Sequence, residues 1–262
     1  MNDDNPARAS SQQGPSLSLV IPAFNEAHRI RQTLQSARDY LQTQPYESEI
    51  LVVDDGSLDQ TGTIAAAFAE EHPTVRALTI VHGGKAAALR SGMAAATGDL
   101  IAFSDADLAT PLRYLGDFRR AVIGGDDVVI GSREGQGAVR IDEPFYRHWM
   151  GRAFNLLVRV LLLPEIQDTQ CGFKLFRREA ALHILDRARL YRESDASVHG
   201  PRVTAFDVEL LVVARRLGYR VRAVPVAWTY GTQSKVNPIW DTLHNLADVL
   251  RVKWNDLRGR YD

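Results

Sequence analysis

Residues 98–107 read Gly-Asp-Leu-Ile-Ala-Phe-Ser-Asp-Ala-Asp. The apolar run from Leu100 to Phe103 has the length of a short buried strand, and two carboxylates, Asp105 and Asp107, follow it at once. In open parallel sheets, ligands bind beyond the carboxyl ends of the strands. This stretch therefore predicts a core strand and an acidic group at the edge of a sheet.

Two other apolar runs end in polar groups in the same way. Residues 17–21 lead into Pro22 and Glu26, and residues 50–53 lead into Asp54-Asp55-Gly56-Ser57. Segments with helical spacing of apolar residues separate these runs. Strands that alternate with helices indicate βαβ units with right-handed crossovers. The expected fold class is therefore α/β, a single Rossmann-like domain with a central, mostly parallel sheet flanked by helices.

The spacing of apolar residues also predicts the remaining strands and helices. Further strands are expected at 75–81, 128–130 and 220–226, and helices at 26–41, 65–69, 84–96, from Pro111, at 146–163, at 206–217 and from 239 onward. The glycine-rich segment 131–144 and the segment 187–202 are expected to be loops, the first of them mobile. The last helix has apolar residues three or four apart and is therefore amphipathic.

Composition excludes several classes of protein. The chain has 262 residues, a formal net charge of -1 and 45% hydrophobic residues, which indicates a soluble globular protein. A near-neutral balance argues against a nucleic-acid binder with a wholly basic surface. The single cysteine, Cys171, excludes an intramolecular disulfide and a zinc site built of cysteines, and we interpret it as a buried small residue.

The pair Asp105 and Asp107 is the feature with the clearest chemistry. Two carboxylates around one small residue can bind Mg²⁺ or Mn²⁺, which take oxygen ligands and share them with substrate phosphates. The alternative is a solvated turn or the cap of the following helix. The position after a strand, together with a second acidic turn at Asp54 and Asp55, favours the metal site.

Two further turns suit a nucleotide. Asp55 could accept hydrogen bonds from a nucleobase N–H or a ribose hydroxyl, although Asp and Gly also favour simple tight turns. Gly83-Gly84-Lys85 precedes a helix, where backbone N–H groups and a lysine can face phosphate oxygens. This segment lacks the Walker A spacing and the G-x-G-x-x-G pattern, which disfavours a dinucleotide-dependent oxidoreductase.

Taken in order, these motifs resemble the family 2 glycosyltransferases of the GT-A fold. Within that family they look like the branch that glycosylates polyprenyl phosphates, and the dolichyl-phosphate glucosyl enzymes match better than the mannosyl ones. The resemblance covers about residues 17–240 and rests on the segments 20–26, 52–57, 84–85, 98–111, 131–133, 168–174, 206–210 and 234–236. Mannosyl relatives often have Gln at the position of Ala109 and Ser at that of Gly151.

The resemblance implies a role for each residue of this chain that matches a motif of the family. The residues expected to hold the nucleotide sugar are Pro22, Ala23, Asn25, Glu26, Asp55, Lys85, Ser104, Asp105 and Lys235. Asp55 would contact the base, and Lys235 would stabilise the departing diphosphate. Asp105 and Asp107 would carry the metal. Arg133, with Arg147 and Arg152 as further candidates, would bind the acceptor phosphate.

The reaction implied is a metal-dependent single displacement with inversion at the anomeric carbon. The donor would be a nucleoside-diphosphate sugar, UDP-glucose in the first place, and the acceptor a polyprenyl or dolichyl phosphate. Asp168 and Asp107 are the expected catalytic carboxylates. Asp168 would act as a general base for an alcohol acceptor, whereas for a phosphate, which is already anionic, it would orient the acceptor or balance charge.

Composition, the spacing of apolar residues and the resemblance together predict a division of the chain and a place of action. Residues 1–15 would be a disordered tail, 16–235 the catalytic domain, with a donor half at 16–132 and an acceptor half at 133–235, and 236–262 the amphipathic helix. No apolar run reaches the length of a membrane span, so a cytoplasmic protein, peripheral at the cytoplasmic face of a membrane, is expected. The last helix could lie in the bilayer interface or pack on the core.

Two alternatives to the lipid acceptor stay open at this point. One is a family 2 enzyme that uses a soluble acceptor, such as a sugar, a phosphorylated metabolite or a protein. The other is a catalytically silent module that binds a nucleotide sugar.

Overall fold

The computed structural model describes residues 14–191, 205–231 and 238–262, and side chains are described outside 238–243. Most of the expected tail 1–15, most of the expected loop 187–202, and Lys235 lie outside these residues.

A seven-stranded sheet in the order β3-β2-β1-β4-β7-β5-β8 forms the centre of the fold. Its strands are β1 (Leu17–Ala23), β2 (Ser48–Asp54), β3 (Val75–Thr79), β4 (Leu100–Phe103), β5 (Val128–Ser132), β7 (Lys174–Arg177) and β8 (Val221–Pro225). Two short strands, β6 (Val139–Ile141) and β9 (Ala227–Thr229), form a separate parallel pair. The helices are α1 (Ile30–Gln42), α2 (Thr61–Glu71), α3 (Lys85–Ala95), α4 (Tyr114–Ile123), α5 (Phe145–Leu161), α6 (Arg178–Arg187), α7 (Phe206–Arg216) and α8 (Pro238–Leu257).

Apolar side chains on both faces of the sheet explain why its central strands read as continuous hydrophobic runs. Along β1, Leu19 and Ile21 enter one core cluster, whereas Val20 between them enters the other. Successive side chains of a strand point to opposite faces, so each face is covered by its own layer of helices. The expected α/β class with a mostly parallel sheet is confirmed.

Strand β7 runs antiparallel between β4 and β5. Its first residue, Lys174, pairs with Phe103 at the end of β4 and with Ile130 on β5. Because β7 runs in the opposite direction, its beginning lies at the edge where the parallel strands end. The segment 168–173 is thereby delivered to the same edge as Asp105 and Asp107.

Several sequence predictions need correction. The helix expected from Pro111 begins at Tyr114, and Pro111 lies in the preceding turn. The segment 131–144, expected to be a loop, contains β6. Strands β7 and β9 and helix α6 were not predicted. These strands have only four and three residues, and β7 contains two charged side chains, so periodicity offered no signal for either.

The last helix packs on the core. Val249 and Val252 of α8 are buried in the same cluster as α7, whereas Leu250 and Trp254 on the other side are 53% and 55% exposed. Core packing, one of the two roles considered for this helix, is therefore observed. Among the residues described, none of the helices combines the length and the apolar character that crossing a membrane requires.

Candidate active site

The acidic pair follows β4 at the carboxyl edge of the sheet, as expected. The Asp105 carboxylate forms an ion pair with the Lys85 ammonium at the first residue of α3, and Asp107 Oδ1 accepts a hydrogen bond from the Ala109 N–H at 3.0 Å. Partial desolvation in the cleft, and then the Asp105 charge, raise the pKa of Asp107. Burial opposes the charge of Lys85, but Asp105 and then Asp207 outweigh it and raise the pKa of this ammonium.

These two carboxylates fit a divalent cation whose remaining ligands come from substrate. The repulsion that raises the pKa of Asp107 is the kind that a cation relieves. Mg²⁺ is commonly held by one or two carboxylates together with substrate phosphates and water. In the described part of the chain, no group of three or more His, Cys, Asp or Glu side chains could hold a metal by itself.

A close backbone contact, which the sequence did not indicate, holds Asp105 from behind. A Cβ atom on Gly172 would lie 2.0 Å from Asp105 Oδ2 and 2.6 Å from its Cγ. Only a glycine leaves room for the carboxylate here. The segment before β7 therefore sets the position of Asp105.

The loops after β1, β2 and β3 meet at the other end of this edge. Asp55 is buried; its Oδ1 accepts the Gly83 N–H at 2.8 Å, and its Oδ2 lies 2.8 Å from His82 Nδ1. Burial raises the pKa of the Asp55 carboxyl, although these hydrogen bonds oppose it. The His82 ring stacks on Phe24 with a centroid separation of 4.2 Å. Asp55 thus ties three strand ends together beside a pair of flat rings.

The other residues expected at the nucleotide are brought to the same place. Pro22 and Ala23 end β1, and the Ala23 carbonyl accepts the Asp55 N–H at 2.9 Å. The Asn25 side chain accepts the Leu58 N–H at 2.8 Å, and the Glu26 N–H donates to Thr61 Oγ1 at 2.7 Å. These contacts join the β1 loop to the β2 loop, so Asn25 and Glu26 shape the site. From sequence, His82 could contact substrate but was set aside because a lone histidine in a loop carries little information, and Phe24 was not singled out.

The acceptor side is built around Arg133 and Asp168. Asp168 is fully buried and accepts the Arg133 Nε–H at 2.8 Å, its Nη2–H at 2.9 Å and its backbone N–H at 2.9 Å. A fourth donor is the Gln170 N–H at 3.1 Å. Burial alone would raise the pKa of Asp168, but Arg133 outweighs it and lowers this pKa well below its usual value. The same ion pair raises the pKa of Arg133 against the effect of burial.

This geometry bears on the two roles considered for Asp168, a general base for an alcohol acceptor and orientation or charge balance for a phosphate. A buried carboxylate with four donors and a lowered pKa is a poor proton acceptor. Of the two roles considered for Asp168, the contacts favour charge balance. Cys171, three residues later, is buried as expected, and burial raises the pKa of its thiol.

A small open cleft lies between Asp105 and Trp228. It is lined by Ser104, Asp105, Ala109, Thr110, Gly172 and Trp228. The Arg133 guanidinium lies 5.2 Å from the ring centroid of Trp228, and Arg147 lies 5.3 Å from that of Tyr230. Trp228 and Tyr230 were not predicted as site residues, because β9 has only three residues and is too short to be recognised from the sequence.

Two predicted site residues, Arg152 and Lys235, remain to be placed. Arg152 is exposed on α5 and stacks on Trp149 at 5.8 Å, so it faces away from the rings that hold the other two arginines. Lys235 lies outside the described residues; Gly231, four positions earlier, comes close to Asp107, since a Cβ there would lie 3.4 Å from Oδ2.

A buried ion pair below the edge was also missed. Lys174 Nζ donates to Asp207 Oδ1 and to the Cys171 carbonyl, both at 2.6 Å. Asp207 lies in the first turn of α7 and contributes to the raised pKa of Lys85. Both residues belong to recognisable motifs, but Lys174 begins β7 and Asp207 lies on α7, so only the folded chain brings them together.

Solved structures share this architecture. The chain superposes on glucosyl-3-phosphoglycerate synthase from Mycobacterium tuberculosis, in complex with Mn²⁺, UDP-glucose and phosphoglyceric acid, with a TM-score of 0.67 at 20% identity, covering 92% of this chain and 80% of that one. Mannosyl-3-phosphoglycerate synthase from Rubrobacter xylanophilus gives 0.65 at 16% identity, covering 94% and 76%. The fold is therefore the GT-A fold of glycosyltransferases.

Sequence comparison gives the family. The model of the family described as Glycosyl transferase family 2 matches residues 18–185. Dolichyl-phosphate beta-glucosyltransferase from Mus musculus is 34% identical over 94% of this chain and 77% of its own length. Dolichyl-phosphate beta-glucosyltransferase ALG5C from Trichomonas vaginalis is 34% identical over 84% of this chain, which spans 65% of that relative. The chain is a glycosyltransferase and belongs to glycosyl transferase family 2.

Proposed function

We propose that this glycosyltransferase moves glucose from UDP-glucose to a polyprenyl phosphate of the dolichyl type, with inversion at the anomeric carbon. The observation that carries the proposal is the cleft beside Trp228. Asp105, which is paired with Lys85, and Trp228, whose ring centroid lies 5.2 Å from the Arg133 guanidinium, both line this cleft. The Asp105 side suits a metal-bound diphosphate, and the Arg133 side suits an anionic acceptor. The proposal that the acceptor is a dolichyl-type lipid rests on the names of the relatives, which are dolichyl-phosphate beta-glucosyltransferases.

The donor would lie along the carboxyl edge of the sheet. Its base would reach Asp55 and the rings of Phe24 and His82, and its diphosphate would reach Lys85. A divalent cation, Mg²⁺ or Mn²⁺, held by Asp105 and Asp107, would neutralise charge on the departing diphosphate. Lys85 would add a positive charge at the same place, and Lys235 is proposed to do so from the segment that follows Gly231.

In the transfer step, an oxygen of the acceptor phosphate forms a bond to the anomeric carbon on the face opposite the diphosphate. The bond from that carbon to the diphosphate oxygen breaks, and the electron pair leaves with the diphosphate. A phosphate monoester is already anionic near neutral pH, so no proton has to be removed. The absence of a need for a general base agrees with the contacts of Asp168, whose carboxylate oxygens already accept four hydrogen bonds.

Arg133 is proposed as the main acceptor contact. A guanidinium has five N–H donors, and the Asp168 carboxylate receives two of those on Arg133. The others remain for phosphate oxygens, while Asp168 and Trp228 fix the plane of the group. Arg147, on the neighbouring ring of Tyr230, is the second candidate, and Arg152 is proposed to meet the acceptor only at the surface.

The proposal is tested by following radiolabelled sugar into product. The purified chain is incubated with UDP-glucose or GDP-mannose, with Mn²⁺ or EDTA, and with dolichyl phosphate in detergent, 3-phosphoglycerate or no acceptor. We expect label from UDP-glucose in the lipid fraction, dependent on Mn²⁺, and a β-linked product by NMR. Label transferred only to the soluble phosphate, or only from GDP-mannose, would refute the assigned acceptor or donor.

A further inference from the structure

Helix α5 leaves an unusually apolar face uncovered. Of its seventeen residues, only Asn155 and Val158 are buried. The side chains of Phe145, Trp149, Leu156 and Val160 are 76%, 55%, 58% and 75% exposed. At about 100° per residue, these four lie within about 60° of one another around the helix axis, so they form one continuous stripe, which we call the α5 stripe.

The charged side chains of α5 itself are all of one sign. Helix α5 contains Arg147, Arg152 and Arg159 and no acidic residue. Arg152 and Arg159 are exposed beside the stripe. The nearest acid in the sequence, Glu143, is already paired with Arg140 at 2.8 Å and with His148 at 3.2 Å. A surface that complements this helix should therefore be apolar inside and anionic at its boundary.

The aromatic residues of α5 indicate which kind of surface could cover the α5 stripe. Trp and Tyr prefer the boundary between lipid headgroups and acyl chains, and α5 exposes Trp149 and Tyr146 at the end next to β6. Helices with an apolar stripe, basic flanks and no acidic residue lie in the plane of a membrane interface. The opposite side of the same helix carries Arg147, which stacks on Tyr230 next to the cleft.

We propose that α5 docks on an anionic lipid bilayer through the α5 stripe, with Arg152 and Arg159 at the headgroups. The inference rests on the proposed function in one respect, namely that the acceptor is a membrane lipid. It assigns the membrane contact to α5 instead of the last helix. Among its described side chains, helix α8 exposes a shorter apolar group, Leu250, Trp254 and Leu257, and its other face is held to the core through buried Val249 and Val252. Docking through α5 would bring the cleft to the depth of lipid phosphates.

Two matched triple variants of the full chain test the assignment. The α5 variant is Phe145→Gln, Leu156→Gln and Val160→Gln, and the α8 variant is Leu250→Gln, Trp254→Gln and Leu257→Gln. All six side chains are more than half exposed, so both variants should keep the thermal unfolding midpoint of the wild type. None of the six belongs to the proposed donor or acceptor contacts.

Binding is measured by co-sedimentation with vesicles of phosphatidylcholine and phosphatidylglycerol in equal amounts, and with phosphatidylcholine alone. We expect wild type and the α8 variant to pellet with the anionic vesicles, less so at high salt, and the α5 variant to bind about tenfold more weakly or worse. Equal pelleting of the α5 variant and wild type, or loss confined to the α8 variant, would overturn the proposal. So would a wild-type dimer that the α5 variant converts to monomer with vesicle binding unchanged.

Activity separates this inference from the proposed function. With a short, water-soluble prenyl phosphate, the α5 variant should transfer glucose at the wild-type rate, whereas with dolichyl phosphate embedded in anionic vesicles its rate should fall in proportion to binding. If wild type uses neither acceptor, the proposed function fails, and the co-sedimentation result still decides whether α5 meets the bilayer.

Discussion

Arg133 and Asp168, thirty-five positions apart in the chain, face each other through two parallel hydrogen bonds of 2.8 and 2.9 Å. The carboxylate is fully buried and the arginine side chain is 16% exposed. The pair therefore fixes the orientation of the guanidinium, which lies 5.2 Å from the ring centroid of Trp228, a residue that lines the cleft. It is the structural basis of the acceptor site proposed for this glycosyltransferase.

Replacing Asp168 with Asn should act through Arg133. Removing one partner of a buried ion pair costs about 3–5 kcal/mol of the free energy of unfolding, and a guanidinium that is no longer fixed should raise the KM for the acceptor. Urea denaturation and initial rates measure the two effects. The control is Asp256→Asn, which breaks the Arg216–Asp256 pair between α7 and α8 at 2.5 Å and should lower stability without changing this KM. A large loss of kcat at unchanged stability and KM would restore the general base.

The same carboxylate should shape the acid stability of the protein. Its pKa is lower in the folded state than in the unfolded chain, where Asp titrates near 3.9. The stabilisation is thus fully present above about pH 5 and is lost as the pH falls through the unfolded value towards the folded one. Between about pH 5 and pH 2, the free energy of unfolding should fall more steeply in wild type than in Asp168→Asn. Parallel curves from urea titrations at stepped pH would contradict the lowered pKa.

Lys85 should compete with a metal ion for Asp105. In Lys85→Met the carboxylate loses its counter-ion, so Mn²⁺ should bind more tightly without nucleotide, while UDP-glucose should bind more weakly. A hydrogen bond to a charged group contributes about 1.5–3 kcal/mol, so each change should be about tenfold or larger. Calorimetry measures both affinities, and Lys85→Arg, which keeps the charge, is the control. A Mn²⁺ affinity that does not change would show that the pair is not closed in solution.

Gly172→Ala should disturb the acidic edge, because the new methyl group would lie 2.0 Å from Asp105 Oδ2. We expect lower Mn²⁺ affinity and a markedly reduced transfer rate. The matched control is Gly151→Ala on α5, where no heavy atom lies within 4 Å of the added carbon. Alanine is the better helix former by about 0.5–1 kcal/mol, so this variant should be slightly more stable and fully active. Wild-type Mn²⁺ binding by Gly172→Ala would mean that Asp105 can move aside.

The face of α5 shows how exposure changes an interpretation. From sequence, both α5 and α8 are helices with apolar and basic residues, and the last helix was considered for the membrane interface. Among its described side chains, α8 buries six against the rest of the fold, namely Asn245, Asp248, Val249, Val252, Asn255 and Asp256, whereas α5 buries only Asn155 and Val158. Which apolar face is covered depends on the helix packed against it, and a helical period alone does not reveal that neighbour.

By itself, the sequence determined the fold class and the acidic edge. Strands buried on both faces are near-continuous apolar runs, so β1, β2 and β4 can be recognised from the sequence. The polar residues that follow each of these strands must then lie at the edge of the sheet. Asp105, Asp107 and the Asp55 turn were placed correctly for this reason.

Tertiary structure alone decided which of these groups touch. Asp168 meets Arg133 because β7 inserts antiparallel beside β5, while Lys85 meets Asp105 and Lys174 meets Asp207 through contacts between separate elements of the fold. Strand β7 is four residues long and partly charged, and its pairing partners are more than forty positions away. Local periodicity carries no information about such partners, because strand order and direction are fixed by how the whole chain packs.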